Sequence, residues 1–209
     1  MKKILFNDRY GLTDAVIEGR KTMTRRPVSE SLWEIWTDYD DFCNSVIGGI
    51  ARGGTSVSRE YYHECDFFKD KCRYKVGEVV AVAQSYKTLL EQEGVHFEKL
   101  CVGIGANDIR WYNKMFVRAD LMPHQICITG IKSERLQSIS HDDAMREGIY
   151  MDGGDDSYMP HYFYDYPNNP SEGFDTPREA FAALVDKVYG RGTWDRNPWV
   201  VAYEFELVK

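Results

Sequence analysis

The sequence predicts an α+β fold in which a mixed, mostly antiparallel β-barrel carries attached helices. Two long segments alternate apolar and polar residues, as half-buried strands do, and three shorter segments carry helix-capping signals. Long stretches separate the strands, which do not alternate regularly with helices. A doubly wound parallel sheet is therefore disfavoured, and a barrel with attached helices is favoured.

The strands follow from the apolar pattern. Residues 2–6 are basic and then apolar before a polar Asn-Asp-Arg run, and residues 78–84 are mainly small or β-branched after a Val-Gly turn. Residues 125–135 alternate for much of their length, and residues 200–208 alternate throughout. These segments are predicted to form the sheet.

Capping signals define the helices. The first is predicted over residues 14–18 with Thr13 as N-cap, and the second over residues 141–147 with Ser140 as N-cap. The third, over residues 177–189, begins with a Thr-Pro-Arg-Glu capping box. A glycine follows each of the three and is expected to end the helix.

A single domain is expected over residues 1–209, with insertions at about 28–72 and 152–175. The first insertion contains glycines and aromatic residues without a sustained period, and the second contains prolines and many aromatics. Both are too long for simple connectors, so they are expected to be lids or packed surface segments. The aromatic run at 158–166 is expected to pack against the barrel rather than to stack bases.

Composition narrows the function classes. The 209 residues carry a net charge of −7, which disfavours general binding to long nucleic acid but allows a local basic pocket. No apolar run is long enough to span a membrane, so a cytoplasmic location is expected. The odd cysteine count without a CxxC pair predicts reduced thiols, with a zinc site at His63, Cys65 and Cys72 as the weaker alternative. No metal or cofactor is expected, and the oligomeric state stays open.

The segment 19–26, Gly-Arg-Lys-Thr-Met-Thr-Arg-Arg, is the strongest candidate for chemistry. In a turn or a last helical loop, the spacing of Lys21 and Thr24 places both side chains on one side. A hydroxyl beside an amine that can lose its proton is a nucleophile with its own base. Arg25 and Arg26 add positive charge that favours a neutral lysine and attracts phosphate or carboxylate. The alternative is a solvated basic surface.

Four sequence blocks extend over nearly the whole chain. They are Ile-Glu-Gly-Arg-Lys-Thr-Met-Thr-Arg-Arg at 17–26, Tyr-Lys-Val-Gly-Glu-Val-Val at 74–80, the stretch 135–148, and the stretch 181–205 with its Asn-Pro-Trp. The first block resembles a G-x-K-T-x-T-x-R signature, and the second is similar to a Y-x-x-G-D-x-L strand. Together and in this order, they resemble the ASCH domain family of the PUA-like fold, in particular its longer bacterial and prophage branch.

The resemblance implies a PUA-like barrel whose cleft binds RNA or modified nucleosides. Short bacterial members of the family remove the acetyl group of N(4)-acetylcytidine with a lysine, a threonine and a glutamate. These positions fall here on Lys21, Thr24 and Glu147. The implied roles are base, nucleophile and acid, respectively.

Five further residues are expected to contact the substrate. Arg20, Arg25 and Arg26 would supply positive charge around the lysine. Longer family members continue their second block into an arginine–glutamate pair and a tryptophan, where this chain has Gln84 and then Tyr86. This departure puts the family's specificity in doubt for this chain.

Three functions follow as hypotheses. The first is an amidohydrolase acting on an acylated cytosine nucleoside. The second is a non-catalytic module that binds RNA or a modified nucleotide, and the third is a ribonuclease that uses Lys21 and Glu147. The expected partner is a nucleoside or a short single-stranded RNA.

Overall fold

The computed structural model describes residues 1–50, 63–91, 111–153, 159–165 and 173–208. The strands are β1 (Lys3–Ile4), β2 (Met23–Pro27), β3 (Val79–Val82), β4 (Gln125–Arg135), β5 (Tyr150–Asp152), β6 (His161–Phe163) and β7 (Trp199–Leu207). The helices are α1 (Leu12–Ile17), α2 (Glu30–Ile50), α3 (Glu64–Lys71), α4 (Tyr86–Glu91), α5 (His141–Arg146), α6 (Pro177–Tyr189) and α7 (Thr193–Arg196). The α+β class is confirmed.

Five strands form one sheet in the order β1-β3-β4-β7-β2. Only β1 and β3 pair in parallel, and every other pair in this sheet is antiparallel. A bulge between Ile128 and Gly130 interrupts the long β4–β7 ladder. Within the described ranges, no backbone pairing joins the edge strands β1 and β2. The structure therefore shows a five-stranded, mostly antiparallel sheet. The described residues do not show the closed barrel that the sequence predicted.

Sequence reasoning located four of these strands and missed β2. The bounds of β4 are confirmed, while the other three predicted strands are shorter or shifted by a residue. The segment Met23–Pro27, predicted as a turn or helical loop, pairs with β7 from Met23↔Glu204 to Pro27↔Val200. Its polar residues hid the strand, and its terminal proline is tolerated because β2 is an edge strand.

Helix capping was predicted well for α5 and α6. The Ser140 hydroxyl accepts a hydrogen bond from the backbone N–H of Asp143, and both bonds of the Thr176–Glu179 capping box are present. The N-cap of α1 was wrong. Gly11 holds that position, whereas Thr13 is buried inside the helix and donates its hydroxyl to Asp8.

Sequence reasoning gave no helix within the predicted insertion at 28–72, whereas the structure has α2 and α3 there. Leu32, Trp36 and Tyr39, spaced four and three apart on α2, pack against the main core. Phe68 of α3 is fully buried, and its ring centroid lies 5.8 Å from that of Trp199 at the start of β7. Helices thus cover this part of the sheet.

The described residues of the second predicted insertion contribute to a small sheet. β6 pairs with β5, and Tyr162 forms a bridge to Phe174. Tyr164 is buried against Tyr10, at a centroid distance of 5.8 Å. The predicted packing role is therefore met by Tyr164, while Tyr158 and Tyr166 lie outside the described residues.

The structure also bears on membrane-spanning helices and on the state of the cysteines. In the described part of the chain, no helix is both long enough and apolar enough to cross a membrane. Cys43, Cys65, Cys72 and Cys127 are free thiols, and Cys101 lies outside the described residues.

Candidate functional site

Lys21 lies in a buried position just before β2. Its backbone N–H donates to the carbonyl of Ala15 at 2.8 Å, which folds the chain back against α1. The residue is only 3% exposed. Its Nζ donates to Glu147 Oε2 at 2.7 Å and also to the Glu147 backbone carbonyl. The structure therefore brings two of the three proposed catalytic residues into direct contact.

Glu147 is placed by the end of α5. It is the C-cap of this helix, and its backbone N–H donates to the carbonyls of Asp143 and Ala144. The next residue, Gly148, has a φ of +100°, and a Cβ there would lie 3.4 Å from Lys21 Cβ. Both the positive φ and the close approach favour glycine. This turn directs the carboxylate toward the lysine.

Arg25 connects Glu147 to two further carboxylates. Its guanidinium contacts Glu147 Oε1 at 3.1 Å, Asp143 Oδ2 at 2.7 Å and Glu134 Oε1 at 2.7 Å. The side chain is 1% exposed. Arg25 also lines the cavity described below, but its donors already hold carboxylates inside the protein, so its predicted substrate contact stays a prediction. The contact with Glu147 Oε1 helps to fix the position of that carboxylate.

The network extends to the surface through Lys132, whose Nζ lies 2.8 Å from Asp143 Oδ2. Arg25 and Lys132 both pair with Ala202 of β7, so their side chains leave the same face of the sheet. Burial alone would raise the pKa of Asp143, but hydrogen bonds and charge from Lys132 and Arg25 outweigh it and lower that pKa. Asp143 is therefore ionised at neutral pH.

Burial lowers the pKa of Lys21 below its ordinary value of 10.5. Glu147 opposes this shift by attraction and hydrogen bonding, whereas the positive charges of Arg26 and Arg25 reinforce it. Burial is the largest of these influences, so the direction is downward. A lysine of this kind is closer than usual to losing its proton, as a general base requires.

Thr24 lines the same narrow cavity as Lys21 and Glu147. Side chains alternate along β2, but β2 is an edge strand, so a cavity beside it borders residues from both faces. The volume of the cavity is about 50 Å³, enough for a few water molecules. Among the described residues, the Thr24 hydroxyl has no hydrogen-bond partner. It is near the amine–carboxylate pair but not bonded to it.

The two remaining arginines have different surroundings. Arg20 pairs with Glu18 at 2.6 Å and does not line this cavity, so its predicted substrate contact stays a prediction. Arg26 does line the cavity, donates to the carbonyl of Leu5 and lies 5.6 Å from the centre of the Phe6 ring. Its side chain therefore connects the edge strand β2 to the segment that follows β1.

Gln84 and Tyr86 are not brought to the site. Both are buried, and Tyr86 packs in a separate cluster with Leu89, Val117 and Met122. Neither lines the Lys21 cavity. Their predicted substrate contact stays a prediction, and Gln84 Oε1 is buried without a hydrogen-bond partner in the described part of the chain.

Sequence reasoning missed Tyr189, Glu134 and Asp143. The Tyr189 hydroxyl donates to the carbonyl of Arg25 at 3.0 Å, and the residue lines the cavity. Burial raises the pKa of this phenol, so it stays a donor. No local pattern marks these residues, since the partners lie far away in sequence. Only the end of a predicted helix and the polar positions of a predicted strand hinted at them.

The described ranges contain no group of three or more histidine, cysteine, aspartate or glutamate residues that could hold a metal ion. Within those ranges, the site offers amines, guanidiniums, carboxylates and a hydroxyl for acid–base or nucleophilic chemistry. No protein-family model, no curated protein and no solved structure matches this chain.

Proposed function

We propose that this protein is an amidohydrolase that acts on an acylated cytosine nucleoside of the N(4)-acetylcytidine type. One observation carries the proposal: Lys21 and Glu147 form a buried ion pair at 2.7 Å, and Thr24 lines the same cavity. The resemblance to the ASCH family supplies the reaction. In this proposal the five-stranded sheet belongs to a PUA-like barrel, with Arg26 bridging its two edges through the Leu5 carbonyl.

The ion pair provides both proton-transfer groups of the reaction. Moving the shared proton from Lys21 to Glu147 yields a neutral amine and a neutral carboxylic acid, which are the base and acid forms required. Burial lowers the pKa of Lys21 and so favours its neutral amine form.

In the first step, Thr24 Oγ1 attacks the acyl carbonyl while its proton passes to Lys21 Nζ. The resting structure has no direct Thr24–Lys21 bond, so this transfer uses an intervening water or follows tightening around the substrate. The tetrahedral intermediate collapses as Glu147 donates its proton to the departing exocyclic amine. Cytidine leaves, and an acyl ester remains on Thr24.

In the second step, water attacks the Thr24 ester. Ionised Glu147 accepts the water proton, and protonated Lys21 returns a proton to Thr24 Oγ1. The carboxylic acid departs, and the neutral amine and protonated carboxyl are restored. Each group thus ends the cycle in its starting protonation state.

The cavity volume sets the size of the group that enters. The cavity volume of about 50 Å³ is well below the ~300–1,000 Å³ of typical ligand pockets. The cavity suits an acetyl-sized acyl group, while the base and sugar stay outside. We therefore expect activity to fall steeply when the acetyl group is replaced by a longer acyl chain.

A second candidate, a non-catalytic nucleotide-binding module, is favoured by the absence of a Thr24 hydrogen bond in the described residues. In that case the Lys21–Glu147 pair only shapes the site. The two candidates differ in whether an acyl-enzyme forms.

The test is hydrolysis of N(4)-acetylcytidine by the purified protein, followed by chromatography, with rapid acid quenching and peptide mass spectrometry for an acetyl ester. We expect wild type to turn over the substrate and to carry the ester on Thr24. Thr24→Ala should abolish the ester, and Glu147→Gln should slow turnover by about 10²–10⁴-fold. Exposed Thr37→Ala and Glu91→Gln are matched controls. Undiminished turnover in Thr24→Ala and Glu147→Gln would falsify the assignment.

A further inference from the structure

A second, larger depression lies beside the catalytic cavity, and we call it the basic groove. It is lined by Arg26, Lys71 and Arg73, with Ser29 and Ser31 beside them. Its volume is about 530 Å³, compared with about 50 Å³ for the catalytic cavity. Such a volume suits a ligand of nucleotide size.

The charge of the groove is opposite to that of the whole chain. Three basic side chains line it, and no aspartate or glutamate does so among the described residues. The protein as a whole carries −7, so a basic concavity is not a by-product of overall composition. A concave surface lined by one sign of charge concentrates ions of the opposite sign. The groove therefore favours an anion.

Two of the three basic side chains have donors to spare. Arg73 is exposed and Lys71 is exposed, with Asp70 at 3.6 Å as a weak, solvated partner of Lys71. Arg26 is anchored more firmly, because its guanidinium bonds both the Leu5 carbonyl and the Tyr189 hydroxyl. Arginine binds phosphate with paired hydrogen bonds, and lysine binds it as a point charge. Phosphate matches this donor set.

The floor of the groove is aromatic and aliphatic. Tyr74 and Tyr203 meet edge to face at a centroid distance of 5.2 Å, and Leu32 and Ile35 of α2 complete the wall. Such a surface packs against the apolar parts of a sugar or base, while the basic rim holds the phosphate. Inorganic anions alone would leave this wall unused.

The groove and the catalytic cavity share Leu5, Arg26 and Pro27. A ligand in the groove is therefore next to the cavity that accepts the acyl group. We infer that the basic groove binds the phosphate of an acylated cytosine nucleotide, so that the substrate is phosphorylated rather than a free nucleoside. The base identity in this inference rests on the proposed function, but phosphate recognition can be measured without catalysis.

The test is calorimetric binding of cytidine 5′-monophosphate, cytidine and inorganic phosphate to the full chain. We expect the monophosphate to bind at least about ten-fold more tightly than cytidine, since charged hydrogen bonds are involved. Inorganic phosphate should compete with it. The Lys71→Gln/Arg73→Gln double variant should remove this advantage, whereas Lys69→Gln, an exposed lysine on the same helix, should keep it. Equal binding of the two cytidine ligands overturns the inference, as does equal weakening by Lys69→Gln.

A short single-stranded RNA distinguishes the source of the phosphate. Binding of the oligonucleotide above that of the monophosphate assigns the groove to an internal phosphodiester, and the reverse order assigns it to a free nucleotide. Both orders support phosphate recognition if the double variant removes them. If N(4)-acetylcytidine is not hydrolysed but monophosphate binding behaves as expected, the proposed function fails and the groove stands. If hydrolysis occurs without phosphate preference, the groove fails alone.

Discussion

Two clusters in this protein combine an amine, a carboxylate and a threonine hydroxyl, and they differ in solvent exposure. In the inner cluster, Lys21 and Glu147 are each only 3% exposed, and Thr24 lines their cavity. In the outer cluster, Lys114 Nζ lies 2.7 Å from Asp8 Oδ1 and 3.3 Å from the Thr13 hydroxyl. The Asp8 side chain is 59% exposed, while that of Lys114 is 14% exposed.

The comparison shows that the same residue types at similar distances can lie in different solvent environments. Water stabilises the Asp8 carboxylate, and an ion pair at the surface contributes little energy. Around Lys21, burial lowers the pKa of the amine, and three carboxylates surround the neighbouring Arg25. The difference between the clusters lies in their solvation.

The largest expected difference is in catalysis. Lys21→Met should lower kcat/KM for N(4)-acetylcytidine by about 10²–10⁴-fold, because the general base is lost. Lys114→Met removes the same charge from the outer cluster and should leave kcat/KM near the wild-type value. An equal loss in both variants would show that burial does not distinguish the clusters. The measurement is initial-rate kinetics, with circular dichroism melting to verify folding.

The second largest expected difference between the clusters is in the free energy of unfolding. Arg25→Met leaves Glu134, Asp143 and Glu147 without their shared cation, and should cost about 3–5 kcal/mol in the free energy of unfolding. Asp8→Asn in the outer cluster should cost no more than about 1 kcal/mol. Urea denaturation measures both values. A cost for Arg25→Met as small as that for Asp8→Asn would contradict the claim that burial makes the inner network indispensable.

The pH dependence of stability tests the shifted lysine directly. The folded-state pKa of Lys21 lies below its unfolded value near 10.5, so between these two values only the unfolded chain carries the proton. The free energy of unfolding should therefore rise with pH in this window, by up to about 1.4 kcal/mol per unit. Lys21→Met should lack this rise, and Lys114→Met should retain it. Parallel slopes for wild type and Lys21→Met would count against the lowered pKa.

The smallest effect concerns the caps that hold each cluster. Ser140→Ala removes the cap of α5, which carries Asp143, and should cost about 1 kcal/mol. Asn113 caps the short 3-10 turn that carries Lys114, and Asn113→Ala should change stability by less than about 0.5 kcal/mol. Thermal melting compares the two. A larger loss for Asn113→Ala would reverse the ranking of the clusters.

Local signals accounted for the parts of the fold that could be predicted. The capping box at Thr176 and the alternation of β4 involve neighbouring residues, so the sequence displays them. β2 was missed because its polar residues face a buried ion network instead of an apolar core. α2 was missed because exposed Trp33, Ile35 and Phe42 obscure the apolar face formed by Leu32, Trp36 and Tyr39.

The candidate site could be predicted only in part, for the same reason. Lys21 and Thr24 were proposed from their spacing within segment 19–26, and Glu147 was added by the family resemblance. The partners of Arg25 were not predicted, because the charges that bury and satisfy it come from other strands and helices. Arg25 was instead expected to contact substrate, with a solvated basic surface as the alternative for its segment. Burial of a charge depends on distant partners, and no short window contains them.

The contacts of Arg25 also have a consequence for the order in which the protein folds. They join residues 109 to 122 positions apart along the chain. Closing such long loops is entropically unfavourable until the surrounding sheet is formed, so the network should appear late in folding. The amide of Thr22, bonded to the Arg146 carbonyl, should then exchange its hydrogen only through whole-molecule opening. The candidate site would be among the last parts to form and would disappear together with the native state.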